Sequence, residues 1–475
     1  MTPPVTHSAL RLSHPKLWIP IALAIGVLAM ASANPLLTLG AIVLLALIGM
    51  LLWRPGEPPA LLFAMGYHWM QASVLVLYAN WKGLDMDALG YGAQVQAATW
   101  LTFGAILCVA LGMRLGARQT YGAVAQPSVL AIASQLSVRR LFAACLAAIV
   151  LSTVANRLAY VVPGLVQPIL ALTLLRWVVV YVFTYAVLSQ QRGFRLLAVV
   201  FTIEIGIGFL GFFSDFKTVP IVMLLAALAA PASLKGIRRR TVVLLSLVIL
   251  SLAVLWTGIK TDYRQFLNQG SGQQVVLVPV SERIGKLAEL AGNMTPARYG
   301  DAVVALVERV SYVYYFGQVM QTVPRDIDYE GGRLWREAVM RTLVPRLLDP
   351  DKLIIDDSER TSYYTGNRVA GAEQGASISL GYVAESYIDF GPVLMMAPLF
   401  AWGLFVGVLY RLLIRATRFP LLGYGCATVL VALGAAVLEQ SNLKMVSAFV
   451  LGFLVLFVSQ KLFGRRGLQL LAGRR

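Results

Sequence analysis

Two carboxylates stand four residues apart in the segment SLGYVAESYIDFGP (379–392): Glu385 and Asp389. On a helix, residues i and i+4 share a face, so both side chains point the same way. Neighbouring carboxyls can have their pKa values driven apart, which suits one to give a proton and the other to take one. The bland alternative, two solvated acids at the foot of a helix, stays open. Upstream, GRLWREAVMRTLVPRLLDPDK (332–352) carries Arg333, Arg336, Arg341, Arg346 and Lys352. Guanidinium groups hold phosphate oxygens in pairs, and several together can hold a pyrophosphate. Tyrosines recur nearby at 299, 312, 314, 315, 329, 363 and 364, with Tyr382 and Tyr387 just beyond. Their faces stack on sugar C–H surfaces and their hydroxyls bond sugar oxygens, although Tyr is also common wherever a chain meets a membrane surface.

Other ionisable residues lie inside apolar runs, where a charge costs ~2.5–3.5 kcal/mol on insertion scales and needs a partner, a wet cavity or a purpose. Arg157, in ANRLAYVVPG, can snorkel to the surface. Arg176 lies deeper and is a candidate substrate ligand, while Glu204, in TIEIGIGF, can pair with Arg176 or Arg157 in a purely structural role. Asp215 and Lys217 share a tight turn in FFSDFKTVP, where Lys217 could meet a ligand or simply be solvated. His68 reads as a hydrogen-bonded packing histidine. Phosphate-loop, dinucleotide, HExxH, CxxC and EF-hand spacings do not occur, so no cofactor or metal is expected. The three cysteines, Cys108, Cys145 and Cys426, sit in apolar runs and suggest no disulfide framework.

The elements that must position these residues are membrane helices. Of 475 residues, 58% are hydrophobic and only 13% are charged, which excludes an ordinary soluble domain. Apolar runs at 17–33, 36–53, 60–80, 92–113, 141–162, 169–189, 196–213, 218–234, 241–259, 391–410, 421–438 and 445–463 predict twelve crossings. With the N-terminus cytoplasmic, the inner segments hold 21 Lys and Arg against Glu57 alone, and the bias keeps its sign at every turn. The net charge of +17 therefore follows from topology, and no nucleic-acid partner is implied.

The expected fold is an all-α polytopic membrane protein of about twelve transmembrane helices. Nine fill residues 1–259, a polar and mainly helical outer loop fills 260–377, and three more with a basic tail fill 378–475. The loop holds 29 of the 63 charged residues, so function concentrates there. Within it, Ala302, Leu306, Val310 and Tyr314 predict a helix over 301–320. A second helix is predicted over 333–343, with its arginines on one arc and Trp335, Val339 and Leu343 on another. Such a helix can lie along the bilayer surface or pack inside the loop.

Two elements in this region resemble those of Wzy-type oligosaccharide repeat-unit polymerases. They are Pro345-Arg346 followed by Pro350 and Lys352, then Gly381, Glu385, Tyr387, Phe390 and Gly391. The close likeness covers about fifty residues, and Asp351-Lys352-Leu353 departs from it where a proline commonly follows the lysine. The resemblance implies a metal-independent enzyme of the bacterial inner membrane, with both termini cytoplasmic and the large loop periplasmic. It would join polyprenyl-pyrophosphate-linked oligosaccharides, with a chain-length regulator and a flippase as partners. On that expectation Glu385 or Asp389 is the base. Arg176, Lys217, Arg333, Arg336, Arg341, Arg346, Lys352 and Tyr387 then contact substrate. An O-antigen ligase-like transferase and a transporter of lipid-linked sugars are the competing readings. The first is weakened by the lack of a loop histidine, the second by an insert that breaks any six-plus-six plan.

Overall fold

The computed structural model describes residues 25–54, 56–90, 94–118, 126–159, 165–211, 216–230, 235–271, 276–344, 356–371, 376–417 and 419–472. Among them the chain is helical throughout, without strands. Eight helical segments are long and apolar enough to cross a membrane. They are α1 (Pro35–Leu52), α2 (Ala60–Lys82), α3 (Val95–Gly116), and, after the short α4 (Gln126–Gln135), α5 (Val138–Ala159). Next come the joined pair α6 (Val166–Leu172) and α7 (Leu174–Gln190), then α10 (Lys235–Leu267), α17 (Met396–Arg415) and α19 (Asn442–Leu471). Three further expected crossings are shorter helices: α8 (Phe194–Leu210), α9 (Thr218–Ala229) and α18 (Pro420–Gly434), of 17, 12 and 15 residues. Of the first expected crossing, residues 25–30 are helical, and 17–24 lie outside the described residues.

The tightest packing in the bundle is a glycine seam. LGMRLG of α3 puts Gly112 and Gly116 four apart, and WGLFVG of α17 does the same with Gly403 and Gly407. A methyl group on any of the four would run into backbone of the opposite helix: Phe400 and Leu404 for the first pair, Val109 and Met113 for the second. Where lipid tails are as apolar as Leu, such close backbone approach is what drives helix pairing. The seam fixes α17, and so fixes the short helix that precedes it and carries the paired carboxylates.

The insert departs from expectation in two places. The boundary at 259/260 falls inside α10, which runs unbroken for 33 residues, because a helix can continue where the apolar run stops, with Lys260, Asp262 and Arg264 on its surface. The helix expected over 301–320 is two, α12 (Pro296–Val310) and α13 (Val313–Thr322), separated by Ser311 in extended conformation, so Tyr314 does not continue the stripe of Ala302. The remaining insert helices are α11 (Val280–Gly292), α14 (Arg333–Leu343) and α15 (Asp357–Thr365), followed by α16 (Tyr382–Leu394). They form no separate lobe: α12 packs on α2 and α10, α13 on α3, and α14 on α16 and α19. In α14, Leu334 and Ala338 turn inward, Trp335 is half-buried, and Val339, Met340 and Leu343 stay exposed. That outward apolar strip is what a helix lying on a bilayer surface would present.

Candidate functional site

The site forms where α16 begins. Gly381 precedes it at φ +88°, and a Cβ there would lie 2.6 Å from the Leu438 carbonyl oxygen. Only glycine fits both constraints, so the chain enters α16 hard against the turn between α18 and α19. At the far end Gly391 takes φ +72° and breaks α16 from α17, leaving α16 a short helix at the end of the bundle.

One turn into α16, Glu385 is wholly buried. Its Oε2 accepts the backbone N–H of Asn442, the first residue of α19, at 2.7 Å, and its Oε1 lies 3.5 Å from Arg360 Nη1. Arg360 turns its other amino group to Glu337 at 3.0 Å, and Glu337 also faces Arg341 at 3.6 Å. Burial pushes the Glu385 carboxyl up to about 7, against the opposing pull of the Arg360 charge and the Asn442 amide. A carboxyl half-protonated near neutral pH can both take and give a proton.

Asp389 shares the helix face but does different work. Its two oxygens accept the backbone N–H groups of Leu334 and Trp335, each at 2.9 Å, in the first turn of α14. These are donors that a helix N-terminus leaves without an internal partner. Burial raises its carboxyl and the two amides hold it back. Ser386, between the acids, accepts Trp335 Nε1 at 2.9 Å. The i, i+4 pair thus grips two helix starts, α19 through Glu385 and α14 through Asp389.

A third buried carboxylate, Asp357, opens α15. It accepts Ser379 Oγ at 2.5 Å and pairs with Lys444 Nζ at 2.6 Å, while Ser441 Oγ stands at 3.4 Å. The turn 438–444 is therefore held between Asp357 and Glu385. Gln71 of α2 grips the same turn, accepting Leu438 N–H at 2.8 Å and donating to Glu439.

The other expected site residues are dispersed. Arg333 is bound in a bidentate pair to Glu330, at 2.6 and 2.8 Å, and donates to the Tyr364 hydroxyl. Arg336 is exposed with no partner among the described residues. Tyr387 is buried, donates to the Val323 carbonyl at 3.2 Å and packs edge-on against Phe316 and Tyr329. Lys217 is exposed at the start of α9, whereas Arg346 and Lys352 lie outside the described residues. Arg176 sits within the bundle, its Nε donating to Glu204 Oε1 at 2.7 Å, its Nη2 paired with Oε2 and its Nη1 donating to Ser152 at 3.3 Å. This is the structural pairing anticipated for Glu204.

A family described as a domain of unknown function, DUF8712, matches residues 92–465. The chain belongs to the DUF8712 family. No curated protein and no solved structure matches it. The DUF8712 match takes in α3 through most of α19, hence the three buried acids, Arg360 and the glycine seam, and leaves out α2 with Gln71.

Sequence reasoning missed Arg360, Glu337, Asp357, Asn442 and Lys444 as site residues. Two signals were present. DDSE (356–359) is a helix-start signature, an Asp cap with Glu three residues on, and Asp356 does accept Ser358 N–H at 2.8 Å. QSNLK (440–444) is a polar turn between two apolar runs. A second basic group also went unread: Lys260 and Arg264 of α10 and Arg309 of α12 lie close enough for their charges to repel. Among the described residues no three His, Cys, Asp or Glu side chains could together hold a metal ion.

Proposed function

We propose that this chain is a membrane glycosyltransferase that polymerises polyprenyl-pyrophosphate-linked oligosaccharide repeat units at the periplasmic face of the bacterial inner membrane, for O-antigen or exopolysaccharide. The observation that carries this reading is Glu385: a buried carboxyl poised near neutrality, beside Arg360 of the insert, at the end of a membrane helix bundle. The twelve-crossing topology with both termini cytoplasmic belongs to the same reading and rests on the Lys/Arg bias.

In the proposed step the acceptor hydroxyl gives its proton to the Glu385 carboxylate as its oxygen forms a bond to the anomeric carbon of the growing glycan. The bond from that carbon to the pyrophosphate oxygen breaks, and the polyprenyl pyrophosphate leaves with the electron pair. General-base assistance of this kind is worth ~10²–10⁴-fold in rate. Cations near the leaving group add to it. Arg336, which has no protein partner among the described residues, and Arg341 are the described candidates on the insert. Arg346 and Lys352 stay in the reading through the family resemblance alone. Asp389, Arg333, Arg176 and Tyr387 are assigned to holding the fold: Asp389 accepts two helix-start amides, Arg333 and Arg176 each meet both oxygens of a glutamate, and the Tyr387 hydroxyl bonds a backbone carbonyl.

The test is a gene deletion read on a surface-glycan gel. Loss of this activity leaves single repeat units attached to their acceptor. Polymer that accumulates unattached would instead indicate a ligase, and the absence of both would indicate a flippase. Glu385→Gln should reproduce the single-repeat pattern at normal protein level. Long polymer from that variant removes Glu385 from the mechanism.

A further inference from the structure

At the end of the bundle away from Glu385 lies a cleft that the glycan-transfer reading does not use. Helix α19 runs 30 residues from Asn442, beside Glu385, to Leu471, so about 45 Å of helix separates the two regions. The cleft encloses about 870 Å³, and its walls include Ser134, Ser137, Arg139, Arg192, Leu196 and Ala472. That volume falls in the ~300–1,000 Å³ range of small-ligand sites.

Printed contacts hold these walls together. Gly193 takes φ +88°, and a Cβ there would lie 3.6 Å from the Val138 Cβ and closer still to its Cγ1, so the turn between α7 and α8 is pressed against the start of α5. Arg192 and Arg139 are the chain neighbours of those two residues, and both line the cleft. Gln190 donates to the Ala133 and Leu136 carbonyls at 2.6 and 2.9 Å and accepts Arg192 Nε at 2.8 Å, which orients that guanidinium. Opposite, Arg140 donates to the Leu470 and Ala472 carbonyls, and the Ser137 N–H to the Leu471 carbonyl at 2.9 Å, fastening the end of α19 to α5.

The charge in the cleft is of one sign. The Arg139 guanidinium and both Nη groups of Arg192 have no partner among the described residues, and no described lining residue is acidic. Nor do residues 114–140, 189–203 or 462–475 contain an Asp or Glu. By contrast, Arg54, Arg176 and Arg360 each face a glutamate. Guanidinium groups pair with phosphate oxygens two at a time, so two of them in an acid-free cleft suit a phosphate group. A zwitterionic headgroup would find no carboxylate for its ammonium. Helix α5, which begins here, is long and apolar enough to cross a membrane, and Phe194 and Leu470 beside the cleft are exposed. A free anion needs the cations alone, whereas a phospholipid uses both the cations and the apolar surface around them.

We infer that this cleft binds the phosphate headgroup of an anionic phospholipid from the leaflet at that end of the bundle, with Arg139 and Arg192 on the phosphate oxygens. On the proposed topology that leaflet is the cytoplasmic one. The site stands or falls independently of the glycan-transfer reading.

The test is lipid retention by the full-length protein in detergent, read by native mass spectrometry with phosphatidylglycerol and phosphatidylcholine added at equal concentration. The wild type should hold phosphatidylglycerol about tenfold more tightly than phosphatidylcholine, and Arg139→Gln with Arg192→Gln should remove most of that preference. Arg239→Gln with Arg240→Gln, an exposed pair in α10 outside the cleft, should leave it unchanged. Equal losses from the two double variants overturn the site and leave only the general attraction of a basic membrane face. Arg139 has no polar partner to lose, so Arg139→Gln alone keeps the test decisive should the double variant fail to fold, and an unaltered preference in it overturns the assignment. Inorganic phosphate in excess should not displace the retained phosphatidylglycerol. Displacement would make this a site for free phosphate and overturn the lipid.

Discussion

Arg176–Glu204 and Arg360–Glu385 are both arginine–glutamate pairs with a fully buried carboxylate, yet they are built in opposite ways. In the first, the guanidinium meets both carboxylate oxygens and spends its third nitrogen on Ser152. In the second, a single contact of 3.5 Å joins the partners, Arg360 is shared with Glu337, and the other glutamate oxygen is held by a backbone amide. A closed pair cancels its own field and is inert. An open pair leaves a carboxyl whose charge is only partly compensated, which is how a protein keeps an acid near neutrality. On the proposed function, the difference separates a charge that is merely tolerated at membrane depth from one retained for chemistry.

Breaking the closed pair should give the largest effect on stability. Glu204→Ala strands Arg176 in the bundle, and removing one partner of a buried pair costs about 3–5 kcal/mol. Thermal unfolding in detergent should show a large drop, and the double variant Arg176→Met with Glu204→Leu should recover most of it. A double variant as unstable as the single one would mean that the pair does more than neutralise itself.

The open pair should respond to pH. The Glu385 carboxyl rises from 4.5 to about 7 in the folded chain, so the folded state keeps a proton that the unfolded state has released. Its contribution to stability is fully present below about 4.5 and is lost as pH climbs through about 7. Glu385→Gln stays neutral throughout. The variant and wild type should therefore unfold alike near pH 4, and by pH 8 the variant should be the more stable, by on the order of 3 kcal/mol. Parallel curves across that range would show that Glu385 is an ordinary ionised carboxylate. The polymerisation rate, if Glu385 is the base, should rise with pH through the same interval.

The sequence made some of this legible. The arginines, Trp335 and spacing of α14 identified that helix at its observed bounds, and the neighbouring Glu385 and Asp389 were singled out together, since both signals are local. What the two acids do was out of reach. Asn442 reaches Glu385 across 57 positions and Leu334 reaches Asp389 across 55, and no periodicity reports a contact of that range. The glycine seam was visible as two GxxxG spacings, but only the fold joins α3 to α17. The run of α10 beyond residue 259 was hidden because hydropathy registers the loss of apolar residues, not the end of a helix.

Asp389 offers a smaller contrast with Glu385 on the same helix face. Replaced by Ala, it leaves the Leu334 and Trp335 amides without their acceptor, and loss of a helix-start acceptor costs ~0.5–2 kcal/mol. Hydrogen exchange should quicken at 333–336 and leave α19 unchanged, whereas Glu385→Ala should quicken exchange at 442–444 and leave α14 unchanged. Equal changes at both helices would mean that α16 moves as one body and that the two carboxylates are not independent grips.

The least effect should come from Arg333, which makes a bidentate ion pair on the insert. Its bidentate bond to Glu330 holds the Glu330 carboxyl below the usual range, yet its side chain is 49% exposed. Water screens such a pair, and exposed pairs are typically worth ~0.2–1 kcal/mol. Arg333→Ala should therefore shift the unfolding temperature by no more than a degree or two and leave glycan length unchanged. A collapse of polymer at intact stability would return Arg333 to the substrate and show that good pairing geometry alone does not mark a residue as structural. The contrast between closed and open pairs would then have to be drawn on burial together with bonding, because Arg333 would be closed by its contacts and still functional.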